Sequence, residues 1–165
     1  MKKQNLFFAV ILYLFFSFLL ASQAWAEKVV FVIDGDTVIL ANHERVRLIG
    51  IDAPEIKSKY HRGEFFGKES AQYLKARIEG KDVVLKSGAE PRDKYGRRLA
   101  YIYLGDGTSI DEELVRLGYA SVFRKFPFPE REQFLKLEAE AKEKKLGMWG
   151  KKKSPWWLKG FGKKK

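Results

Sequence analysis

The segment 47-RLIGIDAPE-55 decides how this chain is read. Leu48, Ile49 and Ile51 suit a buried strand, yet the run starts on Arg47 and ends on Asp52 and Glu55 around Pro54. Arg47 and Asp52 are an odd number of residues apart, so a flat strand would send them to opposite faces. They share a pocket only if the strand bends between them, and Gly50 is the place for a bend or bulge.

Working outward, "KVVFVI" at 28–33 and "TVILA" at 37–41 are β-branched runs flanking the turn signal "DGD" at 34–36. "ERVRLIGI" at 44–51 completes a three-stranded meander. Helical spacing follows over 64–79, closed by Gly80. Further strands are expected at 81–86 and 97–104, separated by a loop at 91–96. Ser109 caps a short helix at 111–117 with acids in its first turn. After the proline-broken loop 123–130, a last helix spans 130–146, with Phe134, Leu137 and Ala141 on its apolar face. Five short strands with three helices predict an α+β fold, a small barrel of the kind that binds oligonucleotides. Phe31, Phe65, Phe66, Tyr101 and Tyr103 are expected in core or half-buried packing, and Trp149 under the last helix.

The chain has 165 residues and no cysteine, which excludes disulfides, thiolate metal sites and a cysteine nucleophile. His43 and His61 are its two histidines, too few for an ordinary zinc site, and neither is assigned a role. A basic start and an apolar run from Leu6 to Ala21 precede "AWA" at 24–26, the pattern of a signal peptide cut after Ala26. Secretion or a periplasmic location follows from that reading. The alternative is an uncleaved membrane anchor, for which the run is marginal in length. Residues 27–150 then form one domain. The tail at 151–165 holds seven lysines and no acid, whereas all 21 acidic residues lie within 27–150, so the domain is nearly balanced although the whole chain carries +11. An anionic partner is implied.

Asp34 and Asp36 stand in one turn, Asp52 and Glu55 in another. Taken alone, each is an ordinary turn former. If neighbouring strands bring them together, the cluster needs a cation. Oxygen ligands without thiols select a hard ion, Ca²⁺ or Mg²⁺, bound weakly. Glu55, set apart by Pro54, can hold a water beside that ion as a general base. Arg47 and Arg97 offer planar forks that fit phosphate oxygens. These are the parts required to attack a phosphodiester.

"VIDGDTVIL" at 32–40, "VRLIGIDAPE" at 46–55 and "DKYGRRLAYIY" at 93–103 resemble the staphylococcal nuclease-like, or thermonuclease, family. "ELVRLGYA" and the final helix ending in "GMW" fit as well, so the resemblance runs over about 28–150. It implies a five-stranded OB barrel with three helices. It also implies Ca²⁺-dependent cleavage of DNA and RNA at the 5′ P–O bond, leaving 3′-phosphates. Carried over, Asp36, Asp52 and the backbone carbonyl of Ala53 look like the calcium ligands, with Asp34 just behind them. Arg47, Glu55 and Arg97 look like the catalytic trio. Lys94 and Tyr95 fall where a substrate phosphate is held. Arg124 and Phe126 replace a pair of tyrosines that pack on the nucleotide, leaving stacking and cation–π contact open to them.

The chain is expected to act as a monomer. A non-catalytic nucleic-acid-binding module of the same fold is the alternative, and the presence of all three trio residues favours the enzyme. The tail "KKKSPWWLKGFGKKK" lies beyond the family pattern. It reads either as a solvated end or, through its aromatics among lysines, as a contact for nucleic acid or an anionic membrane or envelope surface.

Overall fold

The structure is a computed structural model and describes residues 26–57, 59 and 62–150. The leader, apart from Ala26, lies outside the described residues, as do His61 and the tail at 151–165. Among the described residues no helix is long and apolar enough to cross a membrane.

Five strands form a closed barrel: β1 (Ala26–Val32), β2 (Thr37–Leu40), β3 (Arg45–Leu48), β5 (Asp82–Arg92) and β6 (Arg98–Tyr103). Their order around the barrel is β1-β2-β3-β6-β5. β1 to β3 make the expected meander, β3 and β6 run parallel, and β5 closes onto β1. Closure removes every free barrel edge. Ala26 itself begins β1, paired with Val84. Alternation puts Val29, Val38, Leu40, Val46, Leu48, Ala100 and Ile102 inside, all at most 2 % exposed.

Three helices cover this barrel: α1 (Gly67–Ile78), α2 (Ile110–Arg116) and α3 (Arg131–Glu143). α1 buries Gly67, Ser70, Leu74 and Ile78, a stripe at helical spacing. It starts three residues later than its periodicity indicates, because Phe66 takes a left-handed conformation at φ 74°. The Ser109 hydroxyl caps α2 by accepting the Glu112 N–H, as expected. α3 buries Phe134 and Ala141, with Leu137 half-buried against the core as expected, and the buried Glu138 joins that inward face. A short 3₁₀ turn, Gly147–Trp149, follows, and Lys142 lies 4.4 Å over the Trp149 ring.

The long third strand is two strands. β3 ends at Leu48, the chain kinks at Gly50 (φ 76°), and β4 (Ile51–Asp52) leaves the barrel to pair with β7 (Ser121–Val122). A side chain at Gly50 would meet the Phe128 ring at 2.6 Å, so glycine is required there twice over. β5 continues to Arg92, well past the expected end at 86, and its partner β6 returns through the turn 93–96. Tyr101 is buried, but Phe31 and Phe65 are 50 % and 39 % exposed, against the expectation of packing for both.

Candidate active site

The two acidic turns converge. Asp36 is buried at 6 % exposure, and its Oδ2 accepts the Ala53 N–H at 2.7 Å, tying the first turn to the second. Its Oδ1 accepts the Thr37 hydroxyl at 3.1 Å, while Asp34 Oδ1 accepts the Asp36 N–H at 3.0 Å. Arg47 projects from β3 between the carboxylates. One arm of its guanidinium pairs with Asp36, and the other donates to Asp52 Oδ1 at 3.0 Å. The Gly50 kink solves the parity problem and brings Asp52 round to the Arg47 side.

The electrostatics are asymmetric. Burial pushes the Asp36 carboxyl up to about 7; Arg47 opposes that rise and Asp34 adds to it. The Asp52 side chain is 57 % exposed and faces solvent. One wall of the pocket is therefore dry and the other open to water.

Three small residues set how closely the turns approach. A Cβ at Gly35 would lie 2.6 Å from the Ala53 Cβ and 2.2 Å from the Ser70 Oγ. A Cβ at Gly67 would lie 2.2 Å from the Glu55 carbonyl oxygen. Ser70, fully buried, donates to the Tyr119 carbonyl at 2.7 Å. The first turn of α1 thus packs on both acidic turns and on the segment leading into β7. Glu55 is exposed, with its backbone fixed by Glu64: the Glu64 N–H donates to its carbonyl at 2.8 Å, and its own N–H donates to Glu64 Oε2 at 3.2 Å.

Arg47 pairs with Leu99 across the parallel strands, and Arg97 lies two residues before Leu99. Alternation places both arginines on one face, with Cα atoms about 8 Å apart by strand geometry. Arg97 is held at the foot of the hairpin, its Nε donating to Asp93 Oδ2 at 2.7 Å. Burial disfavours the charged Asp93, yet bonds from Arg97 and from the Arg97 and Tyr95 amides keep its carboxyl below the ordinary value. Tyr95 is 72 % exposed, with Lys94 and Arg97 at 5.0 and 5.5 Å from its ring centre. Lys94 and Tyr95 are therefore exposed at the hairpin tip, with the half-buried Arg97 beneath the Tyr95 ring.

Arg124 and Phe126 part company. Phe126 is 68 % exposed, its ring 5.9 Å from Phe123. Arg124 is committed elsewhere: it pairs with the buried Glu138 and donates to the Val122 carbonyl at 2.8 Å. The guanidinium expected on a nucleotide thus serves the junction of β7 with α3. Sequence reading also missed Thr37, Ser70 and Ser121, whose hydroxyls orient the turns. Ser121 donates to the Asp52 carbonyl at 3.1 Å. Single serines and threonines carry no spacing that would expose such a role.

Among the described residues no three His, Cys, Asp or Glu stand together as a metal cage. The oxygen set is Asp36 and Asp52, around a spot already taken by one guanidinium cation. That set fits a hard, water-rich cation bound by few protein ligands.

Comparison with known proteins agrees with the geometry. A family model described as staphylococcal nuclease homologue matches residues 45–151. The thermonuclease of Staphylococcus intermedius is 38 % identical over 125 residues, covering 72 % of each chain. An uncharacterized protein of Methanocaldococcus jannaschii is 32 % identical over 157 residues, 81 % of this chain and 75 % of that one. An uncharacterized endonuclease of Escherichia coli O157:H7 is 35 % identical over 126 residues, 74 % of this chain and 75 % of its own.

Proposed function

The chain belongs to the staphylococcal nuclease family, and from that premise we propose that it is a calcium-dependent endonuclease hydrolysing the phosphodiester bonds of DNA and RNA. The observation that carries this reading is Arg47 bridging Asp36 and Asp52: two carboxylates remote in sequence share one cation at the mouth of a barrel. A metal pocket needs two carboxylates converging on one point, and a turn-forming role for either acid does not.

Asp36, Asp52 and the Ala53 carbonyl would hold the calcium, with Asp34 fixing Asp36 from behind. When bound, the ion supplies positive charge to the phosphate under attack. Arg47 and Arg97, on one face, grip the non-bridging oxygens and stabilise the charge that gathers on them. Glu55, exposed and pinned at its backbone, either orients the attacking water or takes its proton. Lys94 and Tyr95 at the hairpin tip hold a further phosphate, and Phe126 offers a face for a base. Cleavage at the 5′ P–O bond leaves a 3′-phosphate. The leader pattern ending at Ala26 supports secretion or a periplasmic location, and we expect a monomer.

The test is cleavage of end-labelled DNA and RNA in calcium, in magnesium and in chelator. Cutting of both polymers in calcium alone, with 3′-phosphate ends and loss of activity in Glu55→Gln, is expected. Cleavage that survives the chelator, or a fully active Glu55→Gln, overturns the reading. Binding of both polymers without cleavage would mark a non-catalytic module.

A further inference from the structure

Asp52 lies on a two-residue strand outside the barrel. β4 has one sheet neighbour, β7, in the register Ile51↔Val122 and Asp52↔Ser121. The side chain of Asp52 is more than half exposed, so beyond its bond from Arg47 its position is set by its backbone. On one side the Phe123 N–H donates to the Gly50 carbonyl at 2.8 Å and Ser121 donates to the Asp52 carbonyl at 3.1 Å.

β7 is equally short, and Val122 turns its N–H and C=O away from β4. Among the described residues no third strand meets them. Instead Glu138 of α3 accepts the Val122 N–H at 2.9 Å, and Arg124 donates to the Val122 carbonyl at 2.8 Å. Glu138 and Arg124 are bonded to each other, and Lys142 donates to Glu138 Oε2 at 2.6 Å. The carboxylate stands in for a strand's C=O and the guanidinium for its N–H. Such a surrogate edge is valuable here, because a two-residue pair is too short to hold its own geometry. Glu138 is 2 % exposed, on a helix face where an apolar residue is expected.

We propose that Glu138 is a positioning residue for the metal site: with Arg124 it closes the outer edge of β7, and through β7 fixes β4 and the Asp52 carboxylate. This rests on the reading of Asp52 as a calcium ligand. Helix α3, remote from the pocket in sequence, then sets calcium affinity. Groups that hold ligands in place from behind are worth about tenfold or more in metal affinity.

The experiment is calcium binding by titration calorimetry, with amide exchange at Phe123, on Glu138→Ala, Glu138→Gln, Arg124→Gln and Asp52→Ala. The Glu138→Ala protein is expected to bind calcium about tenfold more weakly and to exchange the Phe123 amide faster. Glu138→Gln keeps an acceptor for Val122 and should recover part of that loss. Arg124→Gln removes the partly exposed member of the pair; it covers the case in which Glu138→Ala does not fold, and should show the same two changes. If Asp52→Ala loses calcium while the folded Glu138 and Arg124 variants bind as the unaltered protein does, the positioning role is refuted and the metal reading stands. If Asp52→Ala binds calcium normally, both fall.

Discussion

Replacing Arg47 by glutamine should make calcium bind more tightly while cleavage is lost. In the structure the guanidinium occupies the space between Asp36 and Asp52 that the metal needs. Even at the dielectric of bulk water, a unit charge about 4.5 Å from a divalent ion opposes binding by about 2 kcal/mol. Removing it should strengthen calcium binding by about ten- to thirtyfold, at 1.4 kcal/mol per decade. A proton competes with the metal for Asp36, whose pKa already stands at about 7 and which Arg47 holds down. The glutamine raises it further, so the titration belongs at pH 9. Calorimetry there reads the affinity, a thermal melt confirms folding, and gel assays at saturating calcium read cleavage. The same arginine that delays the metal is needed on the phosphate, so activity should fall by about a hundredfold or more. Unchanged or weaker calcium binding in a folded Arg47→Gln protein would refute the idea that the guanidinium and the metal share one site.

Gly50→Ala should destabilise the fold by about 1–2 kcal/mol from the positive φ alone, more once the Phe128 ring is displaced, as measured by urea unfolding. Gly67→Ala should push the Glu55 backbone away and lower kcat by about a hundredfold, with calcium affinity retained in calorimetry. Burial raises Asp111 from the ordinary 3.8 to about 8, while its Oδ2 accepts the Ile102 N–H at 2.8 Å. The unfolded chain gives up this proton near pH 4 and the folded one near pH 8. The group therefore costs stability progressively as pH rises through that window. Asp111→Asn, which keeps an acceptor for Ile102, should gain about 1 kcal/mol or more at pH 8 relative to pH 4.5, read from denaturant midpoints at both values.

The barrel was legible because its strands are β-branched and aromatic runs bounded by turns that carry glycine and aspartate. The convergence of Asp36, Arg47 and Asp52 was legible through one local conflict: the parity of Arg47 against Asp52 demands the bend that Gly50 supplies. The β4–β7 pair was not, since two residues give no period to detect. Glu138 was hidden for a different reason. A helix pattern marks apolar faces, and an acid buried to cap a strand edge reads there as an ordinary solvent-facing residue. Arg124 misled because sequence shows that a guanidinium is present but not which carboxylate already holds it. The late start of α1 came from Phe66, whose left-handed turn no composition rule anticipates.

One cation pocket shared by Asp36 and Asp52 carries the proposed chemistry. A crystal structure of the protein soaked in calcium tests it directly. One ion within about 2.4 Å of oxygens from both carboxylates, with the Arg47 guanidinium moved off Asp36, is the predicted result. An ion bound elsewhere, or Arg47 still bridging both acids at saturating calcium, would contradict it.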